Sequence, residues 1–104
     1  MTFDEYTKAA MRTAFIDSPD YLALGLNGEA GEVAEIIKKK IRAKRDRIGW
    51  TSEDWTDEER LDLAEEISDC LWYMAVMSEK LGFSLEEIAI INEKKLKERY
   101  SKTC

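Results

Sequence analysis

Residues 56–82 read "TDEERLDLAEEISDCLWYMAVMSEKLG", and the reading of this stretch decides the fold. Thr56 followed three residues later by Glu59 is a capping box, in which each side chain accepts from the other's backbone N–H. Gly82 follows the last apolar residue, where a left-handed residue ends a helix. Between them Ile67, Leu71, Met74 and Leu81 recur at spacings of four, three and seven, the pattern of a helix with one buried stripe. The stretch predicts one helix from Thr56 to Leu81.

The same signals organise the rest of the chain. Thr2 with Glu5 opens a first helix running to about Ala14, and Ser84 with Glu87 opens a last one running to about Tyr100. Ser18, with Pro19 in the first turn where its missing N–H costs nothing, opens a second helix towards Arg42. Residues 44–55, "KRDRIGWTSEDW", lose the helical period and contain Gly49, Thr51 and Ser52, so a loop or short irregular turn is expected there, carrying two of the three tryptophans. No alternating strand pattern is present. The expectation is an all-α bundle of four main helices, one domain spanning residues 1–104.

Composition narrows the function. With 44% hydrophobic and 37% charged residues, one proline and five glycines, the composition argues against disorder and favours a charged helical domain. A net charge of -6 and a pI near 4.8 argue against a stable nucleic-acid partner, which would require neutralisation of phosphates by Lys and Arg. Residues 38–47, "KKKIRAKRDR", depart from this balance and leave a local anion site open. Cys70 and Cys104 are too few for a disulfide framework and read as free thiols of a reducing compartment. No run approaches the roughly 20 apolar residues of a membrane span, and "MTFDEYTKAA" lacks the features of a signal peptide. A soluble, cytoplasmic, unprocessed protein with no membrane partner is expected.

Two acidic pairs stand on the long helices. In "GEAGEVAE", residues 28–35, Glu29 and Glu32 are three apart, hence about 60° apart around the axis. Glu66 and Asp69 repeat the spacing on the next helix, with Asp62 one turn before and Tyr73 one turn after. Antiparallel packing would bring the four acids into a cage of oxygens suited to a hard cation such as Mg²⁺; the plainer alternative is two solvated helix faces. Gly25, Gly28 and Gly31 each cost about 1 kcal/mol relative to Ala in a helix, which suggests close approach by another backbone or a ligand, or tight helix packing. The chain has no histidine, which excludes a Glu-x-x-His di-iron centre and a His-based zinc site. Lys39, seven residues beyond Glu32, is a candidate for a phosphate tail, although lysines at a helix C-terminus also offset its dipole. Trp50, Trp55, Trp72 and Tyr73 are candidates for stacking on a base, Tyr73 the best placed; Trp72 could equally fill a core or an interface.

The segments "GLNGEAGEVAE", "EEISDCLWYMA" and "NEKKLKERY" resemble the MazG-like all-α nucleoside triphosphate pyrophosphohydrolases, which include the related dimeric dUTPase and dCTPase branches. That family's E-E-x-x-E … E-x-x-D signature falls on Gly28, Glu29, Glu32, Glu66 and Asp69, with Gly28 the departure. The resemblance implies Mg²⁺-dependent cleavage of a nucleoside triphosphate, a dNTP or a noncanonical one in a house-cleaning role, between its α and β phosphates. Mn²⁺ is a possible substitute. Glu29, Glu32, Glu66 and Asp69 would bind metal, with Glu29 or Glu32 as general base. Asn92, Lys95 and Arg99 would lie near the nucleotide, or form an exposed polar face. The resemblance further implies a homodimer or homotetramer with active sites at subunit contacts. The competing expectation is a nonenzymatic helical module docking through residues 38–47.

Overall fold

The computed structural model describes residues 1–101, and among them the chain is all-α: α1 (Phe3–Met11), α2 (Pro19–Lys44), α3 (Asp57–Leu81) and α4 (Leu85–Ser101). Cys104 lies outside the described residues, as does the end of the domain expected over 1–104. The described chain forms two compact units, one from Met1–Asp17 with the chain from Met74 onward, the other Ser18–Tyr73.

In the first unit, α1 opens on the expected capping box, with Thr2 N–H donating to Glu5 Oε1 at 3.0 Å and Glu5 N–H to Thr2 Oγ1 at 3.1 Å. It ends at Met11, three residues short of Ala14. The Thr13 hydroxyl donates to the Ala10 carbonyl at 2.8 Å, and the N–H groups of Arg12, Thr13 and Ala14 turn back to carbonyls only three residues earlier. The last turn is thereby tightened and the helix stops.

The buried residues of this unit are small: Thr7, Ala10, Ala75, Val76 and Ser78. The hydroxyls of Thr7 and Ser78 donate to the carbonyls of Phe3 at 2.9 Å and Met74 at 2.7 Å, so neither is buried without a partner. Gly82, at φ 87°, ends α3; its N–H donates to Glu79 O at 3.0 Å and that of Phe83 to Ser78 O at 2.9 Å, the paired bonds of a Schellman motif. The Ser84–Glu87 box then opens α4, whose described residues include no buried one.

In the second unit Ser18 precedes Pro19 as expected but makes no side-chain cap; its hydroxyl bonds to the Asp20 carboxylate instead. α2 runs two residues past Arg42 and ends where Arg45 takes the left-handed conformation, φ 58°, with its N–H on Ile41 O at 2.7 Å. The loop that follows is pinned from within. Asp54 accepts from Lys44 Nζ at 2.8 Å and from Gly49 N–H at 2.7 Å, and the buried Trp55 donates through Nε1 to Gly49 O at 2.7 Å. Trp50, 81% exposed, stacks on Trp55 at 5.5 Å and 10° between planes. Glu59 divides its carboxylate: Oε1 accepts from Thr56 N–H at 2.9 Å, closing the box that starts α3, and Oε2 pairs with Lys40 of α2 at 2.8 Å.

The apolar stripe expected on α3 needs correction. Ile67, Met74 and Leu81 are 52%, 42% and 72% exposed, while Leu63, Ala75, Val76 and Ser78 are buried. Leu63 and the small side chains Ala75, Val76 and Ser78 sink, Leu71 is half-buried, and Ile67, Met74 and Leu81 stand on surface that the described residues do not cover.

Candidate metal centre

α2 and α3 carry the two acidic pairs on exposed or half-buried faces, and Glu29, Glu66 and Asp69 come together. One carboxylate oxygen from each lies within 4.8 Å of the others, with Glu29 and Glu66 half-buried and Asp69 exposed. Such proximity of like charges is unfavourable in the absence of a counter-charge. Burial first, then the charges of Asp69, Glu29 and Glu32, hold the Glu66 carboxyl above the usual range, and a hydrogen bond to Glu29 favours its protonated form. Glu32 is exposed and is not among the three convergent residues, yet its charge reaches Glu66.

Tyr73 flanks this group on α3. Its ring meets Trp72 edge-on at 4.8 Å and 84°, and burial, followed by the proximity of Tyr21, Glu29 and Asp69, raises its phenol. The Cys70 thiol, half-buried, is raised by burial and by Glu29, Asp69 and Glu66, which keeps it a poor nucleophile. The three helical glycines do not act as a set. A Cβ at Gly25 would overlap the Tyr73 ring, whereas one at Gly28 or Gly31 would meet nothing within 4 Å. Within this chain the close approach is therefore made at Gly25 alone of the three, and it is made by a side chain.

Lys39 is exposed and borders an open groove of about 630 Å³ with Lys40, Lys44, Asp54 and Glu59. Asn92, Lys95 and Arg99 are exposed on α4, in the first unit. Trp55, a candidate for stacking on a base, is a core residue, 4% exposed, with Lys40 Nζ 4.6 Å above its ring. Sequence reasoning missed Tyr21 and the special place of Gly25, although Tyr21, Gly25 and Glu29 recur every four residues along one helix face.

With two helices contributing three convergent carboxylates, the comparison with known proteins becomes decisive. Residues 17–104 match the MazG nucleotide pyrophosphohydrolase domain. The chain belongs to the MazG family. A similar protein is the Gene 37 protein of Mycobacterium phage L5, 35% identical over 108 residues, covering 95% of this chain and 89% of the phage protein. No solved structure matches the chain. The MazG match begins next to the second unit and takes in both acidic pairs. It supports a nucleoside triphosphate pyrophosphohydrolase, with the acidic group of this MazG domain a candidate for a divalent cation.

Proposed function

We propose that this MazG protein hydrolyses a nucleoside triphosphate, a dNTP or a noncanonical NTP, between the α and β phosphates in a Mg²⁺-dependent reaction, giving a nucleoside monophosphate and pyrophosphate. The observation that carries the reading is the convergence of Glu29, Glu66 and Asp69 from two helices within 4.8 Å, in a chain of the MazG family. The donor set fits the cation: all three ligands are hard oxygens, and Glu66 is held above its usual range by burial and then by neighbouring charges that a cation would offset.

When bound, Mg²⁺ supplies charge neutralisation at the triphosphate and lowers the pKa of water, and Mn²⁺ is expected to substitute. Glu29, Glu66 and Asp69 hold the cation, with Glu32 completing the set. Glu29 or Glu32 accepts the proton of the attacking water. Lys39, and Asn92, Lys95 and Arg99 of α4, contact the nucleotide, and Tyr73 lies beside it. The protein acts in the cytoplasm, and as a homodimer or homotetramer; the association alone is supported by large exposed apolar side chains such as Leu24, Trp50 and Leu81.

The alternative, a binding module that docks through residues 38–47, is disfavoured. Lys40 and Lys44 are engaged by Glu59 and Asp54 at 2.8 Å each, and Lys38 lies 3.9 Å from Glu35. A panel of canonical and noncanonical nucleoside triphosphates, assayed for pyrophosphate with and without Mg²⁺, tests the proposal. Release of pyrophosphate from at least one, abolished by chelation, is expected; no release from any would reject it.

A further inference from the structure

We infer that Gly25 is a positioning residue whose missing side chain seats the Tyr73 ring against α2, fixing the phenolic hydroxyl beside the acidic group as a donor to the substrate's phosphate oxygens. The inference rests on the nucleotide hydrolysis proposed above and deepens it.

Two registers meet at this point. On α2, Tyr21, Gly25 and Glu29 follow one another at four-residue intervals and share a face, each about 6 Å along the axis from the next. On α3, Glu66, Asp69 and Tyr73 do the same at intervals of three and four. The far end of Tyr73 occupies the place of the absent Cβ: an added one would overlap Cε1 and Cζ and stand 2.6 Å from the hydroxyl oxygen. The phenol thus rests on the α2 backbone one turn from Glu29 and one turn from Asp69, with Trp72 holding the ring edge-on at 4.8 Å.

This contact accounts for a residue that otherwise weakens its helix. Gly28 and Gly31, with open space above them, have no such requirement. It also defines what Tyr73 offers. The part of the ring laid on α2 is closed to a base, whereas the hydroxyl is a neutral donor that can approach an anion already surrounded by carboxylates. The ring is the far end of a rotatable side chain, so a methyl group at position 25 moves the phenol rather than the helix.

The experiment compares wild type, Gly25→Ala, Tyr73→Phe and the double variant, with Mg²⁺ and the best nucleoside triphosphate from the panel. Each single substitution is expected to raise KM about tenfold with kcat within about twofold, because the hydroxyl contacts a charge present in ground and transition states alike. The double variant should match Tyr73→Phe, since the hydroxyl that Gly25→Ala displaces is already gone. In wild-type protein, NMR should show a cross-peak between the Gly25 Hα and Tyr73 ring protons that Gly25→Ala removes. An unchanged KM in Gly25→Ala, or an added loss in the double variant, overturns the assignment, as does a loss confined to kcat and melting temperature. A wild-type protein that shows the cross-peak but releases no pyrophosphate rejects the hydrolase reading and the hydroxyl's role with it. Turnover by wild type with Gly25→Ala unaffected rejects the role of Gly25 alone.

Discussion

Glu66 is half-buried and lies under the influence of three other carboxylates, and burial first, then those charges, set the sign of its response to pH. Its folded pKa is raised above the unfolded value near 4.5, so its contribution to stability is fully present below that value and is lost as pH rises through the folded one. Against wild type, cation-free Glu66→Gln is therefore expected to melt at nearly the same temperature below pH 4.5 and at a higher one at pH 7. Mg²⁺ should reverse the order by stabilising wild type far more than the variant. Activity should fall by orders of magnitude, and Asp69→Asn and Glu32→Gln are expected to lose turnover likewise. Thermal melts across pH with and without Mg²⁺, beside a pyrophosphate assay, check this; a Glu66→Gln protein with full Mg²⁺-dependent turnover would place the site elsewhere.

At the scale of elements, the loop after α2 and the turn after α3 make separate predictions. Asp54 is held below the usual carboxylate range, chiefly by its hydrogen bond from Lys44 and next by the Gly49 N–H. A depressed pKa gives stability that is present above the unfolded value of 3.8 and is lost as pH falls through the folded one. Asp54→Ala should accordingly lower the melting temperature at pH 7, with the gap closing in strong acid. Gly82→Ala forces an L side chain to φ 87° and is expected to cost about 1 kcal/mol or more, read as a lower urea midpoint at unchanged m-value. The four helices are legible in the sequence because their starts carry local signals: three capping boxes and a proline in the first turn. The end of α1 is not, since it depends on the Thr13 hydroxyl competing for one carbonyl. Helical spacing likewise places Glu29 and Glu66 on their helices, but the seating of Tyr73 over Gly25 joins residues far apart in the chain, and no local period records it.

For the whole molecule, periodicity identifies an apolar face but not what covers it. Ile67, Met74 and Leu81 show the difference, as does α4, which has no buried residue among those described. Association of copies is expected to cover part of this surface, and light scattering at micromolar concentration should give at least twice the mass of one chain; a monomer would count against it. The paired indoles lead to a different consequence. Trp50, Trp55 and Trp72 all fall within Ser18–Tyr73, and the unit containing α1 and α4 has none. Tryptophan fluorescence, excited at wavelengths where tyrosine does not absorb, therefore samples one unit alone, and the Trp50–Trp55 stack makes it sensitive to the loop after α2. Circular dichroism sums helix over both units. The two signals recorded on one heated sample act as separate clocks, and any lag between them is the interval during which one unit has unravelled while the other persists.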